Sequence, residues 1–364
     1  MLGISADDVI VEDLFFDSSG GYDGLCIEAH DCNRLVVRDC LFSLSAIGIR
    51  ALDNICDLLV TDNVSEGDGY FFLSFHSTGS ARYTITNNTI RGDLAGDYGG
   101  MGISIDCPLT GFEDAVIANN VISNEHVVGT NGGFGIALAQ CSHVTITSNY
   151  VSGCEWEGIH VEQDSHDVTI VGNYCQDNNW AGIGIQPTYQ GFFVSDIVIS
   201  GNVVKHNCLL VPGTGDIGDG RANGGIDTYY SAFWTKNIQI SNNICVDNLR
   251  PGIFLERVYG LSLTGNICQG NTDAGIVAID VPNGVISGNV CKNTINGPGI
   301  YLEDYPGAIV SGNQGYDNQD TDYTPSPKTQ TYGLSVNGDG LRAKLGGNKF
   351  NGNLIGNIEG VLLP

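Results

Sequence analysis

The sequence predicts an all-β fold, a parallel β-helix of about twelve coils with very little helix. Three observations support this prediction. A short block of alternating apolar residues followed by a polar pair recurs twelve times over the first 313 residues. A second block, Gly–apolar–any–apolar, alternates with it, as in GIALA from Gly135 and GIHVE from Gly158. No segment shows the 3.6-residue apolar period of an amphipathic helix.

The first block ends in a polar residue that becomes asparagine in every later copy. The positions are Asp13, Asp39, Asn63, Asn88, Asn120, Asn149, Asn173, Asn202, Asn243, Asn266, Asn289 and Asn313. Their base spacing of about 23–25 residues is too short for a propeller blade and fits solenoid coils that pair with their neighbours. We expect the asparagine side chains to hydrogen-bond from coil to coil and to take the left-handed conformation of tight turns.

The second block predicts short strands that are buried on one side only. Its alternation over four to five residues is typical of such strands, in which successive side chains point to opposite faces. Stacking the outward positions of successive copies predicts an acidic column of Glu28, Asp106, Glu162, Glu256 and Glu303.

The composition excludes several classes of protein. The chain has 15 Lys and Arg against 41 Asp and Glu, a net charge of -26, so it cannot build the basic surface of a nucleic-acid-binding protein. It has no apolar run of about 18 residues, so no membrane partner is expected. The N-terminal residues lack the basic and apolar regions of a signal peptide.

The cysteines predict neither a metal site nor a disulfide framework. All twelve are scattered singly, without a CxxC pair or zinc-ligand spacing. Cys245, Cys268 and Cys291 each lie two residues after a recurring asparagine, so we expect them to stack inside the solenoid as thiols.

These repeats resemble those of the right-handed parallel β-helix superfamily, which includes pectate-lyase-like enzymes and phage tailspikes. The resemblance rests on the asparagine and Gly-led blocks and covers residues 6–318. It implies a right-handed, single-stranded helix with a polysaccharide-binding groove along the Gly-led strands. None of the compact catalytic signatures of the superfamily's lyases or epimerases is present, so the resemblance implies no catalytic residue.

The longest repeat units place the groove on the same strands. Insertions at 91–100, 124–134, 187–196 and 207–224 lie next to Gly-led strands in the middle of the chain. Long loops on a rigid scaffold usually serve function. We therefore expect these loops to wall the groove.

Paired carboxylates on the groove floor predict glycoside hydrolysis. Asp227 and Glu256 occupy diagonal positions on adjacent coils, roughly 5–8 Å apart by the coil spacing. We predict them as the catalytic pair, with Glu162 as a third candidate. The predicted substrate-binding residues are His160, Trp156, Trp180, Asp106, Gln186, Tyr229, Arg257, Asp280 and Glu303. Trp156 and Trp180 are expected as neighbours whose flat faces stack on sugars.

The predicted function is a polysaccharide-binding and -cleaving enzyme, with a glycoside hydrolase favoured. One alternative is a lyase or epimerase acting on a uronate-containing glycan, which needs a base and either a cation or Ca²⁺ to neutralise the carboxylate. Hydrolysis by paired carboxylates requires no cofactor. Another alternative is a non-catalytic glycan-binding or structural fibre segment.

Residues 1–318 are predicted as the β-helix domain, and residues 319–364 as degenerate coils or a cap that serves oligomerisation. No capping helix precedes the first coil, so we expect a fragment of a longer chain or an N-terminal end covered by another domain or subunit. A homo-oligomer is expected, a trimer by analogy with tailspikes. An extracellular or virion-associated location fits a glycan target.

Overall fold

The computed structural model describes residues 1–17, 24–44, 47–67, 71–77, 81–92, 101–107, 113–124, 133–187, 193–209, 224–228, 233–319, 326–338 and 344–359. These residues form strands β1 to β41 and no α-helix, which confirms the predicted all-β solenoid. The chain divides into two compact units, Met1–Asn179 and Trp180–Pro364.

In the unit Met1–Asn179, each coil contributes one strand to each of three parallel sheets. Sheet 1 contains β1 (Leu2–Ile4), β4 (Leu25–His30), β7 (Ile47–Asp53), β10 (Phe71–Ser77), β13 (Met101–Asp106), β16 (Ile136–Ala139) and β19 (Ile159–Glu162). Sheet 2 contains β2 (Ile10–Glu12), β5 (Leu35–Arg38), β8 (Asp57–Thr61), β11 (Ala81–Thr86), β14 (Glu113–Ala118), β17 (Ser142–Thr147) and β20 (His166–Val171). Sheet 3 contains β3 (Phe15–Asp17), β6 (Leu41–Leu44), β9 (Val64–Gly67), β12 (Thr89–Gly92), β15 (Val121–Asn124), β18 (Tyr150–Ser152) and β21 (Tyr174–Gln176).

The unit Trp180–Pro364 has the same arrangement of three parallel sheets. Sheet 1 contains β22 (Ile183–Gln186), β25 (Ile226–Asp227), β28 (Ile253–Glu256), β32 (Ile276–Ile279), β35 (Ile300–Glu303), β38 (Tyr332–Asn337) and β41 (Gly356–Glu359). Sheet 2 contains β23 (Ser195–Ser200), β26 (Thr235–Ser241), β30 (Ser262–Thr264), β33 (Val285–Ser287), β36 (Ile309–Ser311) and β39 (Lys344–Gly346), with β29 (Val258–Tyr259) paired to β26. Sheet 3 contains β24 (Val203–Lys205), β27 (Ile244–Val246), β31 (Ile267–Gln269), β34 (Val290–Lys292), β37 (Gln314–Tyr316) and β40 (Lys349–Asn351).

The C-terminal segment 319–364 contributes β38 to β41. Strands β38, β39 and β40 pair in parallel with β35, β36 and β37, and β41 pairs with β38. The domain boundary at residue 318 stays a prediction.

The recurring asparagines form a ladder of buried side chains. Nδ2 of Asn88 donates to Oδ1 of Asn120 at 3.0 Å, and Nδ2 of Asn120 donates to Oδ1 of Asn149 at 3.0 Å. In the second unit the ladder links Asn243 to Asn266 in the same way, at 3.0 Å. The predicted coil-to-coil hydrogen bonds are therefore confirmed.

The left-handed turn residue lies one position before the ladder, so that part of the prediction is wrong. Asp62 and Asn87 have φ of 58°, while the following ladder asparagines do not have positive φ. Asp39 likewise has φ of 54°, and the next residue, Cys40, takes the ladder place by donating its N–H to Asn63. The reason is that a ladder side chain must point into the core, whereas the turn residue before it is exposed.

A second ladder, which the sequence analysis missed, runs beside the strands of sheet 1. The backbone N–H and Nδ2 of Asn248 both donate to Oδ1 of Asn271, at 3.0 and 2.9 Å. Both residues lie five positions after a first-ladder asparagine, so an N-x4-N spacing was the available signal. A Cβ on Gly252 would lie 2.7 Å from Nδ2 of Asn271. The glycine that opens this strand therefore leaves room for the second ladder.

The cysteine prediction is also confirmed. Cys245, Cys268 and Cys291 lie in register in sheet 3 and are fully buried. All twelve cysteines of the chain are free thiols. They pack as small apolar side chains among the inward-facing Ile, Val and Leu residues.

Candidate functional site

The outward face of sheet 1 in the first unit carries two columns of side chains, set by the parallel register. The first column contains Glu28, Arg50, Ser74, Ser104, Ala137 and His160. The second column contains His30, Leu52, His76, Asp106, Ala139 and Glu162. Neighbours within a column lie about 4.8 Å apart, the spacing of adjacent strands.

This register removes Glu28 from the predicted acidic column. Glu28 lies opposite Arg50, in the same column as His160 and not in that of Asp106. The alignment failed because Ile27 lies opposite Ile49, so that Cys26, and not Gly24, holds the place of the strand-opening glycine. Nε2 of His30 and Nη1 of Arg50 lie 3.0 and 3.6 Å from the Glu28 carboxylate.

Asp106 and Glu162 share the second column, with Ala139 between them in the register. Two strand spacings place their backbones about 10 Å apart, and the small Ala139 side chain leaves room between the carboxylates. The side chain of Glu162 is 23% exposed and that of Asp106 is 42% exposed. Both carboxylates can therefore meet a ligand on this face.

The two carboxylates interact electrostatically. Burial raises the pKa of Asp106, and the negative charge of Glu162 raises it further, against the opposing effect of His76 at 3.5 Å. The pKa of Asp106 is raised overall. Its Oδ1 atom is buried and has no hydrogen-bond partner among the described residues. Asp106 is thus suited to carry a proton that a ligand could receive.

His160 lies next to Glu162 and is almost fully buried. Its Nδ1 lies 3.7 Å from the fully buried Glu157 carboxylate, and its Nε2 lies 3.5 Å from Glu162. Burial lowers the pKa of His160, but the charge of Glu157 and the interactions with Glu157 and Glu162 raise it to about 10. The imidazole is therefore charged at neutral pH.

Two aromatic rings border this cluster. The ring of Phe134 stacks on the imidazole of His160 with a centroid distance of 4.1 Å. The half-buried Trp156 packs edge-on against Phe134 at 4.8 Å. The carboxylates, the imidazole and an aromatic edge thus meet on one face of the first unit.

The second unit holds the other predicted carboxylate pair. Asp227 lies between Gly184 and Phe254 in the register, and Glu256 lies two residues beyond Phe254 on the adjacent strand. The diagonal placement is as predicted, and the separation of the carboxylates stays a prediction. Asp227 is fully buried and the Glu256 side chain is 24% exposed.

The remaining predicted residues of this unit are engaged with one another. Arg257 lies 3.6 Å from the Glu256 carboxylate and 3.8 Å from that of Asp280. Glu303 shares the column of Glu256 and accepts a hydrogen bond from the hydroxyl of Tyr301 at 2.8 Å.

Trp180 and Gln186 are buried, with 7% and 6% exposure. Tyr229 lies outside the described residues, as does most of each predicted insertion (93–100, 125–132, 188–192 and 210–223). The expected walls of the groove therefore stay predictions.

A family model for right-handed β-helix regions matches residues 73–233 and 220–362. The chain belongs to this right-handed β-helix family. Comparison with curated protein sequences finds no match.

Solved structures with the same fold include several epimerases. The A-module of mannuronan C-5 epimerase AlgE6 from Azotobacter vinelandii has a TM-score of 0.60 and 13% identity, over 98% of this chain and 91% of that chain. The periplasmic alginate epimerase AlgG has a TM-score of 0.62 and 12% identity, over 93% and 84%. The A-module of AlgE4 from A. vinelandii has a TM-score of 0.53 and 15% identity, over 97% and 89%. At these identities the likeness shows the fold alone.

Two residues of the site in this β-helix protein were missed by the sequence analysis. Glu157 immediately precedes Gly158 and lies three residues before His160, a position where a carboxylate can turn back toward the strand. His76 lies on a strand without an opening glycine, so the block alignment misplaced its coil. Only the register shows that His76 neighbours Asp106.

Within the described residues, no three His, Cys, Asp or Glu side chains are grouped so that they could hold a metal ion. The same part of the chain contains no helix with the length and hydropathy of a membrane span.

Proposed function

We propose that this β-helix protein binds a polysaccharide on the outward face of sheet 1 and hydrolyses it, with Asp106 as general acid and Glu162 as general base. The supporting observation is the placement of the two carboxylates in one column, separated by Ala139, with the pKa of Asp106 raised. A general acid must hold its proton near neutral pH, and a neighbouring carboxylate helps it to do so.

The spacing of the pair favours inversion at the anomeric carbon. Inverting glycosidases keep their carboxyl groups about 6.5–9.5 Å apart to admit a water molecule, and retaining enzymes keep them about 5–5.5 Å apart. The backbones of Asp106 and Glu162 are two strand spacings apart, about 10 Å, which suits the inverting geometry.

In the proposed reaction, Asp106 donates its proton to the glycosidic oxygen as the bond from that oxygen to the anomeric carbon breaks. Glu162 removes a proton from a water molecule, whose oxygen forms the new bond to the anomeric carbon from the opposite side. The leaving sugar departs with a hydroxyl group. Proton exchange with solvent then restores both carboxyl groups.

The second-unit carboxylates are assigned to binding in this proposal. Asp227 is fully buried, and the Glu256 carboxylate lies 3.6 Å from Arg257. A nearby guanidinium stabilises the ionised form of a carboxylate, which suits hydrogen bonding to sugar hydroxyls better than proton donation. Asp227 and Glu256 remain the rival catalytic pair, and the variants described in the Discussion distinguish the two pairs.

The proposed substrate is a neutral or weakly charged glycan, because a chain with a net charge of -26 repels polyanions. Trp156 and Phe134 provide an aromatic edge against which a sugar ring could pack. The proposal includes the predicted extracellular or virion-associated location and a homo-oligomeric state.

The test is a panel of neutral and acidic polysaccharides, with products separated and weighed by mass spectrometry. We expect products that each gain one water molecule per cleaved bond, and an inverted anomeric configuration in fresh digests by NMR. Absence of cleavage across the panel, with retained binding, would support the non-catalytic alternative and refute the proposal.

Uronate epimerisation or lysis is the second candidate. Two observations favour it: the fold is shared with proteins named as alginate epimerases, and His160 places a buried positive charge beside Glu162. A lyase would give unsaturated products that absorb in the near ultraviolet. An epimerase would change the NMR spectrum of an alginate without forming new reducing ends.

A further inference from the structure

A buried ion pair lies beside the proposed general base. The side chain of Glu157 is fully buried and that of His160 is 3% exposed, with Nδ1 of His160 3.7 Å from Oε1 of Glu157. On the other side of the ring, Nε2 lies 3.5 Å from Oε2 of Glu162. The imidazole therefore stands between an interior carboxylate and one that borders the sheet 1 face.

We propose that Glu157 and His160 are a positioning pair for Glu162, an inference that rests on the proposed hydrolysis. Glu157 fixes the imidazole from the interior, and the imidazole orients the Glu162 carboxylate toward the attacking water. Neither residue of the pair contacts the substrate, because both are buried and Phe134 covers one face of the imidazole at 4.1 Å.

The charges around the ring support this role. Burying a carboxylate costs several kcal/mol unless a cation lies beside it, so Glu157 favours the protonated imidazole. A protonated imidazole carries a donor on both nitrogens, whereas a neutral one carries a single donor. Only the charged ring can therefore face Glu157 and Glu162 with an N–H on each side.

The titratable neighbours of this arrangement are few. Asp106 faces Glu162 across Ala139, and His76 faces Asp106 at 3.5 Å. Asp106 holds a proton more readily than an ordinary aspartate, so it adds less negative charge than Glu157 does. His160 is thus the fixed positive charge next to the Glu162 carboxylate.

The first experiment measures the titration of the ring by NMR, with ¹⁵N-labelled histidine between pH 5 and 11. In the wild-type chain we expect the His160 signals to stay in the charged form until near pH 10. In Glu157→Gln we expect the titration to move down by at least about one pH unit. A wild-type His160 that titrates near its ordinary value, about 6.5, would overturn the proposal.

The matched control is His166→Gln. His166 is an exposed histidine 2.9 Å from the Asp167 carboxylate, on sheet 2 and away from the sheet 1 face. This variant should leave the His160 titration unchanged, which separates a local effect from a general change in the field of the chain.

The second experiment separates positioning from a structural role. Glu157→Gln and His160→Gln each leave one buried charge without its partner, so each should also lower stability. The double variant removes both charges. A structural role alone predicts that the double variant recovers stability and activity together. A positioning role predicts that stability recovers while kcat stays roughly 100-fold low and KM changes little.

A third measurement does not depend on turnover. In ¹³C-carboxyl spectra, Glu162 should titrate at higher pH in His160→Gln than in the wild type, because the adjacent positive charge is gone. An unchanged Glu162 titration would refute the pair even if the enzyme is active. A wild-type chain that cleaves no glycan would refute the proposed function, while this measurement would still report on the pair.

Discussion

The outward faces of sheet 1 in the two units present acids in different surroundings. In the first unit, Asp106 is partly desolvated, has a raised pKa and faces Glu162 across Ala139. In the second unit, Glu256 lies beside Arg257, and Glu303 accepts a hydrogen bond from Tyr301. The difference teaches that an acidic residue at a recurring position does not have a fixed chemistry. Its partners decide whether it can donate a proton or serves as a hydrogen-bond acceptor.

The largest expected effect comes from removing the carboxylates of each unit in turn. Asp106→Asn and Glu162→Gln should lower kcat about 100- to 10,000-fold, the usual contribution of general acid and base groups. Glu256→Gln and Glu303→Gln should lower it less than about 10-fold. Initial rates on a cleaved glycan provide the measurement. The reverse ranking would move the catalytic pair to the second unit.

The next largest effect concerns the asparagine ladders. Asn120→Ala in the first unit and Asn248→Ala in the second each remove several buried hydrogen bonds. Each should lower the free energy of unfolding by roughly 3 kcal/mol, because unsatisfied buried groups cost about 1–3 kcal/mol each. Denaturant unfolding gives the value, and hydrogen exchange shows which coils lose protection.

Asn54→Ala is the matched control for the ladders. Asn54 is exposed and its Nδ2 donates to Asp31 at 2.8 Å, outside either ladder. We expect a loss below about 1 kcal/mol. A loss equal to that of Asn120→Ala would mean that burial of the ladder is not what matters.

A smaller effect is the dependence of stability on pH through His160, which only the first unit contains. Its pKa is raised to about 10 in the folded chain, above the ordinary value of about 6.5. The resulting stabilisation is complete below about pH 6.5 and is lost as the pH rises through about 10. The stability difference between wild type and His160→Gln should therefore shrink between pH 7 and 10.5. A difference that stays constant over this range would contradict the charged state of the ring.

The smallest expected effect is that of Arg257→Gln in the second unit. Its contacts with Glu256 and Asp280 are 3.6 and 3.8 Å long and partly exposed, so their loss should cost less than about 1 kcal/mol. If this unit contributes to binding, KM should rise a few-fold with kcat unchanged. A large fall in kcat would place Arg257 in the catalytic machinery.

The sequence predicts the repeat, the strand-opening glycines and the first asparagine ladder, because each depends on contacts that recur in every coil. It does not predict the register of the first coils. Cys26 replaces a strand-opening glycine there, and Glu28 was consequently placed in the wrong column. Glu157 and His76 were missed for a related reason: their importance depends on neighbours one or two coils away, which no local pattern reveals.

The net charge of -26 illustrates both contributions. Among the described residues, fourteen aspartates have positive φ, including Asp31, Asp62, Asp167 and Asp280. Aspartate tolerates the left-handed region, so the demand for turns between short strands accounts for much of the acidity. By itself, the sequence determined the solenoid and this turn chemistry, because both follow from local periodicity. Only the tertiary structure decided which acids face each other, because desolvation and charge coupling depend on distances between coils.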